Sequence, residues 1–311
     1  MENFAQSVCR WGRGFWRLAD PRITLASMAS IAVAGAAAWA ARVPLWPWLG
    51  AIVLAIFALE WAKNASGEIV DFRSGADLKI APEDRSPFSG GKRVLVEGIL
   101  TERETALVAA VGYAICGLIG VVIVVQREPV ALPLGVVGAL LAFFYHAPPL
   151  RLAYRGFGEL AVFLAYGPLL MNGSYRVLTR LWSGEVAWLS VTYGLLVAAF
   201  LWINEFPDAK ADEAAGKRTW VVRLGKARAA RAFVVLLLAA WLWFAAGLLG
   251  GVLRWPVALG FAGTLPALLA ARRLCTSWQE TQNIVLAQAN TLFTFVAFAA
   301  GVALGFAASA R

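Results

Sequence analysis

The sequence predicts an all-α membrane protein, a bundle of nine transmembrane helices, and three observations carry that prediction. First, 60% of its 311 residues are apolar, far above the share in soluble domains. Second, nine stretches are long and apolar enough to cross about 30 Å of hydrocarbon. They lie near 23–43, 44–62, 104–125, 129–147, 157–178, 184–204, 229–249, 254–271 and 288–308. Third, with the N-terminus inside, 22 of the 28 Lys and Arg residues fall in cytoplasmic segments. Six fall outside: Arg42, Arg127, Arg176, Arg180, Arg254 and Arg311. That asymmetry orients multi-span proteins and places the chain in the cell (inner) membrane with its N-terminus cytoplasmic. The net charge of +9 is then a topology signal, and no nucleic-acid partner is expected.

Residues 1–22 set Trp11, Phe15 and Trp16 among arginines, the pattern of an interfacial helix lying on the cytoplasmic leaflet. No cleavable signal peptide is evident. Residues 23–311 read as one polytopic domain with cytoplasmic loops near 63–103, 145–157 and 205–228. Cys9, Cys116 and Cys275 are widely separated, without a CxxC, so a zinc site is not expected.

The polar chemistry gathers in those loops. In the last loop, Asn204-Glu-Phe-Pro-Asp208 runs to Asp212 and then to Gly216-Lys217-Arg218-Thr219. Asp208 and Asp212 are four residues apart and share a helical face. In the first loop, Asn64, Glu68 and Asp71 share a face, and Asp77 lies beyond Gly75, which ends or bends the helix. The two clusters follow spans four helices apart, a loose internal echo that suggests two halves facing a central cavity. Acids at a membrane boundary must be paired, hydrated or bound to metal. Two facing acidic clusters suit Mg²⁺, which takes oxygen ligands and bridges phosphates. Lys217 and Arg218 after one cluster, and Arg73, Lys92 and Arg93 after the other, would hold a diphosphate. Arg223 and Lys226 fit topological anchoring equally well.

The third loop reads Tyr145-His146-Ala-Pro148-Pro149-Leu-Arg151-Leu-Ala-Tyr154-Arg155-Gly156. Its prolines end the preceding span, and Tyr145, Arg151 and Tyr154 are candidates to face the acids and serve acceptor or phosphate. His146 is the only histidine. It reads as an interfacial hydrogen-bonding residue, and no Ser-His-Asp or Cys-His relay is available.

These motifs resemble the UbiA superfamily of intramembrane prenyltransferases. Asn204xxxAsp208xxxAsp212 with Gly216-Lys217-Arg218-Thr219 and Val222-Arg223-Leu224-Gly225 is similar to the family's second aspartate-rich motif. Asp71-Phe-Arg-Ser-Gly75-Ala-Asp77, Pro87-Phe-Ser-Gly90-Gly91 and Tyr145xxPro148-Pro149-Leu-Arg151-Leu resemble the branch that prenylates 1,4-dihydroxy-2-naphthoate in menaquinone synthesis. The resemblance runs over residues 20 to 305. It departs at the first motif, usually Asn-Asp-x-x-Asp. With Asp71 as its last acid, Gly67 stands at the Asn and Glu68 at the following Asp. In a second register, Asn64xxxGlu68 is the counterpart and Asp71 an added ligand.

The resemblance implies nine helices around a central cavity open to the cytoplasm. It implies Mg²⁺ held by Glu68, Asp71, Asp208 and Asp212, with Asn64 and Asn204 assisting. Arg73, Lys92, Arg93, Arg151, Lys217 and Arg218 would bind a polyprenyl diphosphate, and Asp71, Asp208 and Tyr145 would be catalytic. An aromatic quinone precursor would attack the allylic cation. Two other functions stay open: a terpene cyclase or transferase to a non-quinone acceptor, and an ion-coupled transporter, for which Glu60 is the one acid deep in a span.

Overall fold

The computed structural model describes residues 4–44, 47–89 and 91–310; Gly90 of the first-loop motif and Arg311 of the outside set lie beyond them. The described residues form no strand. Seven helices are long and apolar enough to cross a membrane. They are α2 (Pro21–Ala40), α3 (Trp48–Ser74), α4 (Glu102–Gln126), α8 (Gly184–Ala214), α10 (Lys226–Leu249), the continuous Trp255–Ser277 segment that ends in α11 (Thr264–Ser277), and α12 (Thr281–Ser309).

The other two expected crossings are shorter or interrupted. One is α5, limited to Ala131–Phe144. The second is divided into α6 (Gly158–Leu164), a π-helical turn at Ala165–Leu169 containing Pro168, and α7 (Leu170–Thr179). Proline removes a donor from the helical ladder, and a single π turn is a common way to absorb the fault.

The N-terminal helix α1 (Phe4–Ala19) docks on protein as well as showing an exposed Trp16. Arg10 donates to both carboxylate oxygens of Glu104 at 2.9 and 2.8 Å, and Phe15 packs edge-on to Trp61, 5.1 Å between ring centres. Glu104 also closes a capping box with Thr101 at the start of α4. Asn64 joins the same joint: its amide donates to the Leu18 carbonyl at 2.8 Å.

The two helices that carry the acids overrun the membrane, as α12 with its 29 residues also does. α3 has 27 residues and α8 has 31, about 40 and 46 Å at 1.5 Å per residue. The hydrocarbon core is about 30 Å, so each helix carries its last turns beyond it. The stretches expected to begin the first and last loops are therefore helical up to Ser74 and Ala214, because no breaker stops α3 before Gly75. α8 crosses the middle of the bundle, with 67% of its apolar window buried against 22% for α4.

Candidate active site

The overrunning ends of α3 and α8 close with the same turn. At α3, Gly75 is left-handed (φ 76°), and the Gly75 and Ala76 amides donate to the Phe72 and Asp71 carbonyls. At α8, Gly216 is left-handed (φ 77°), and the Gly216 and Lys217 amides donate to the Glu213 and Asp212 carbonyls. Both are Schellman caps, each with an aspartate four residues before its glycine. In the second, the turn folds Lys217 back over its own helix end. Its ammonium lies 3.4 Å from Asp212 Oδ1 and 3.6 Å from Asp71 Oδ1. The two acidic helix ends thus close with the same turn, and one lysine lies between their aspartates.

Around Asp71 the third loop supplies further donors. Its turn passes through a cis Pro148–Pro149 bond. Tyr154 Oη donates to Asp71 Oδ1 at 2.6 Å and meets Ser74 Oγ at 2.8 Å. Arg151 stacks on the Tyr154 ring with Cζ 3.9 Å from its centre, and Lys217 Nζ lies 5.0 Å from the same centre. His146 Nε2 is 3.5 Å from Asp71 Oδ2. The imidazole occupies the space above Gly67: a Cβ there would stand 2.7 Å from His146 Nδ1. Sequence reasoning set His146 aside as interfacial, yet the structure brings it to the acids. The pairing is spatial, between a gap on one helix and a ring on a distant loop, and no local pattern carries it.

The protonation states follow from this packing. The Asp71 and Asp212 carboxylates outweigh the cost of burial and hold Lys217 well above its ordinary value, so it is a fixed cation. Burial lowers His146 to about 4 against the pull of Asp71, which leaves it neutral at neutral pH. Asp77 is buried and pushed up to about 8, first by desolvation and then by the Asp71 and Glu68 carboxylates, with Asp208 adding to them. Burial and Asp71 raise Tyr154 to about 12, so it stays a hydrogen-bond donor.

The remaining expected site residues divide between cluster and scaffold. Asn204 lies one turn before Asp208 on α8, with its buried Oδ1 lacking a hydrogen-bond partner among the described residues. Tyr145 stands next to His146, 4.7 Å between ring centres, and lines a cavity. Glu68 is buried and accepts from the Leu95 amide at 3.0 Å. Arg73 pairs with Glu102 at 2.7 Å and is exposed. Lys92 binds Asp20, the N-cap of α2. Arg93 reaches the Asp77 carbonyl at 3.2 Å. Arg218 is exposed, its amide donating to the Tyr154 carbonyl at 2.9 Å. Asn64 faces α1, as above. In this conformation these side chains tie loops down more than they face the acids.

A metal test can be made on the donor set. Buried oxygens without hydrogen-bond partners among the described residues, Asn204 Oδ1 and Asp77 Oδ2, belong respectively to the segment that carries Asp208 and Asp212 and to the segment that carries Asp71. Hard oxygen donors of this kind fit Mg²⁺. Among the described residues no three acid, His or Cys side chains are gathered closely enough to hold an ion by themselves.

A cavity of about 470 Å³ lies between α3, α4, α5, α6 and α7, bordered by Lys63 of α3 and by Tyr145, the neighbour of His146; Asp71, Asp208, Asp212 and Lys217 are not among its lining residues. Its walls are mainly Ile, Leu, Val and Ala, with Glu60, Lys63, Tyr145 and Tyr166 as polar points. Glu60 accepts from Ser27 at 2.8 Å and from Tyr166 at 3.2 Å, so the deep acid is held inside a hydrogen-bonded cluster.

A helical bundle of membrane-spanning length with an apolar cavity and, at two of its helix ends, an acid–lysine cluster defines the class as a multi-pass membrane protein with a polar site. The UbiA prenyltransferase family matches residues 28–292, and the chain belongs to that family. It is 29% identical over 311 residues to the 1,4-dihydroxy-2-naphthoate octaprenyltransferase of Mycobacterium tuberculosis, covering 96% of this chain and 99% of that protein. It is also 29% identical over 181 residues to UbiA prenyltransferase domain-containing protein 1 of Dictyostelium discoideum, where it spans about half of that protein's length (53%) and 57% of its own. In fold it is similar to a UbiA homologue from Aeropyrum pernix (TM-score 0.65, 24% identity, 89% of this chain and 96% of that one). A UbiA homologue from Archaeoglobus fulgidus, solved with GPP and Mg²⁺, has the same fold (TM-score 0.62, 15% identity, 93% and 99%).

Proposed function

We propose that this prenyltransferase moves a polyprenyl group from an isoprenyl diphosphate to an aromatic quinone precursor of the 1,4-dihydroxy-2-naphthoate type, with Mg²⁺ as cofactor. The observation that carries the reading is the convergence of Asp71 and Asp212, from two identically capped helix ends, on Lys217; the apolar cavity bordered by Lys63 and Tyr145 supplies room for a prenyl chain. The naphthoate prenyltransferases among its relatives support the acceptor class.

In this reading, Asp71, Asp208 and Asp212, with Asn204 and Asp77 beside them, hold Mg²⁺ on the diphosphate. Bound there, Mg²⁺ supplies neutralisation of the charge that develops on the leaving diphosphate. Lys217 turns from the carboxylates to the phosphate oxygens, and Arg151 and Arg218 stand at the rim. The apolar walls hold the prenyl chain and keep water from the allylic carbon. As the carbon–oxygen bond breaks, its electron pair leaves with the diphosphate. A ring carbon of the acceptor then bonds to the allylic carbon, and the ring regains aromaticity by losing the group that carbon carried, a proton to the released diphosphate or water, or a carboxylate as CO2. The Tyr145 face, beside the cavity, shelters the developing cation. The bundle crosses the membrane nine times, with α5 and the α6–α7 pair as two crossings. The N-terminus and the polar mouth face the cytoplasm, as the cation distribution requires.

The test is incubation of the purified protein with Mg²⁺, a labelled polyprenyl diphosphate and a panel of acceptors. A prenylated naphthoate product is expected. Diphosphate release without a prenylated aromatic would instead favour cyclisation, and a prenylated phenol or sugar phosphate would reassign the acceptor.

A further inference from the structure

Asp71 divides its partners unevenly between its two oxygens. Oδ1 takes the Tyr154 hydroxyl at 2.6 Å and the Lys217 ammonium at 3.6 Å. Oδ2 faces the His146 Nε2 at 3.5 Å. That separation is long for an N–H···O hydrogen bond, which lies near 2.7–3.2 Å. It lies near the separation of two donors sharing a tetrahedral ion and about 0.5 Å beyond an octahedral edge, so the ring would close on Oδ2 by that much around Mg²⁺ or Mn²⁺. Donors each about 2.1 Å from a common ion stand about 3.0 Å apart across an octahedral edge and about 3.4 Å apart across a tetrahedral one. The ring is set in this place by Gly67, because any side chain there would begin 2.7 Å from Nδ1 and 2.8 Å from Cε1.

We propose that His146 Nε2 and Asp71 Oδ2 form a mixed nitrogen–oxygen edge of the divalent-metal site, whose other ligands are the remaining oxygen donors of the clamp, diphosphate oxygens and water. The proposal rests on the isoprenyl-diphosphate reading and adds a ligand to it. The chain lacks a side chain at position 67 of α3 and supplies a donor to the same space from the loop after α5. Two protein donors are too few to hold an ion alone, which agrees with the absence, among the described residues, of any three-ligand group. The metal therefore enters with the diphosphate. An imidazole also shifts preference: nitrogen donors favour later first-row ions over magnesium relative to an all-oxygen site.

The test uses the full-length protein in nanodiscs with Mn²⁺ and geranyl S-thiolodiphosphate, a diphosphate that does not ionise readily. Electron spin-echo modulation on the bound Mn²⁺ reads directly coupled ¹⁴N. Wild type is expected to show imidazole nitrogen coupling that depends on the thiolodiphosphate. The coupling is expected to vanish in His146→Ala. It is also expected to vanish in Gly67→Ala, which retains the histidine and displaces its ring. Melting temperature checks that each variant is folded; His146→Gln serves if the alanine variant is not. Mn²⁺ bound with the thiolodiphosphate but without ¹⁴N coupling in wild type would overturn the proposal and leave the diphosphate reading intact. Coupling that survives His146→Ala or His146→Gln would also overturn it. Failure of the thiolodiphosphate to bind at all would overturn both.

Discussion

Asp71 and Asp212 hold the same position in two copies of one turn: each lies four residues before the left-handed glycine that ends its helix, and each faces the Lys217 ammonium, at 3.6 and 3.4 Å. Two carboxylates from helices far apart in sequence are thereby held across a single cation. That geometry is costly without a positive charge between them, and it is the core of a site for a metal-bound anion.

Removing the cation should expose that cost. Lys217→Met leaves Asp71 and Asp212 facing each other at the edge of the membrane. Loss of one partner of a buried ion pair typically costs about 3–5 kcal/mol. We expect a lower melting temperature in EDTA, substantial recovery on adding Mg²⁺, and turnover reduced at least about 100-fold. Melts with and without Mg²⁺ check the first two, and unchanged melting in EDTA would refute the bridging role.

Gly216 places Lys217. An alanine at φ 77° costs about 1 kcal/mol from backbone strain alone. Gly216→Ala should therefore both lower stability and raise KM for the diphosphate. Gly98, also left-handed at φ 62° and, like Gly216, with nothing within 4 Å of its Cβ position, places no site cation and is the control: Gly98→Ala should lose stability and keep KM. The comparison is read from steady-state kinetics beside melting curves.

Much of this was legible in the sequence. The acids, Gly75, Gly216 and Lys217 carry local signals: helical spacing for the carboxylates, and a helix-ending glycine with a cation beside it. Span positions followed from apolar length, although Pro168 and the brevity of α5 leave seven unbroken candidates where nine stretches were expected. What stayed hidden was tertiary. Asn64 and Glu68 have the spacing of ligands, yet one binds the Leu18 carbonyl and the other the Leu95 amide. Lys92 and Arg73 follow an acidic motif, yet their carboxylate partners are Asp20 and Glu102. Spacing reports which face a side chain shares, and says nothing of what another loop lays against that face.

The hydroxyl of Tyr154 should matter apart from its ring. Tyr154→Phe keeps the stack with Arg151 and removes the bonds to Asp71 and Ser74. A hydrogen bond to a charged group is worth about 1.5–3 kcal/mol, so we expect a loss of that size in stability and about tenfold or more in kcat/KM. Chemical denaturation in detergent and initial rates measure the two effects.

Acid should weaken the protein through His146. Its value of about 4 lies below the ordinary 6.5, so its contribution to stability is present above pH 6.5 and is lost as the pH falls through 4. At about 1.4 kcal/mol per unit the loss approaches about 3 kcal/mol. His146→Gln should flatten this part of the stability–pH curve, and an unchanged slope would contradict the assignment.

Asp77 should act in the opposite direction. Its value of about 8 lies above the ordinary 3.8, so its contribution is full below pH 3.8 and is lost as the pH rises through 8. Asp77→Asn should gain on wild type across that window and hold a constant advantage above it. Mg²⁺ should narrow the window, because a nearby cation favours the carboxylate. Stability measured from pH 4 to 9.5, with and without Mg²⁺, separates the two residues.

The two-sided clamp is tested most directly by single-turnover transfer from a labelled polyprenyl diphosphate in nanodiscs, comparing wild type with Asp71→Asn and with Asp212→Asn. Both substitutions preserve shape and remove one charge, one on each helix end. The account predicts Mg²⁺-dependent transfer in wild type and losses of about 100-fold or more in each variant, with folding retained. Full turnover in either variant would mean that one helix end is enough, and the clamp would be wrong.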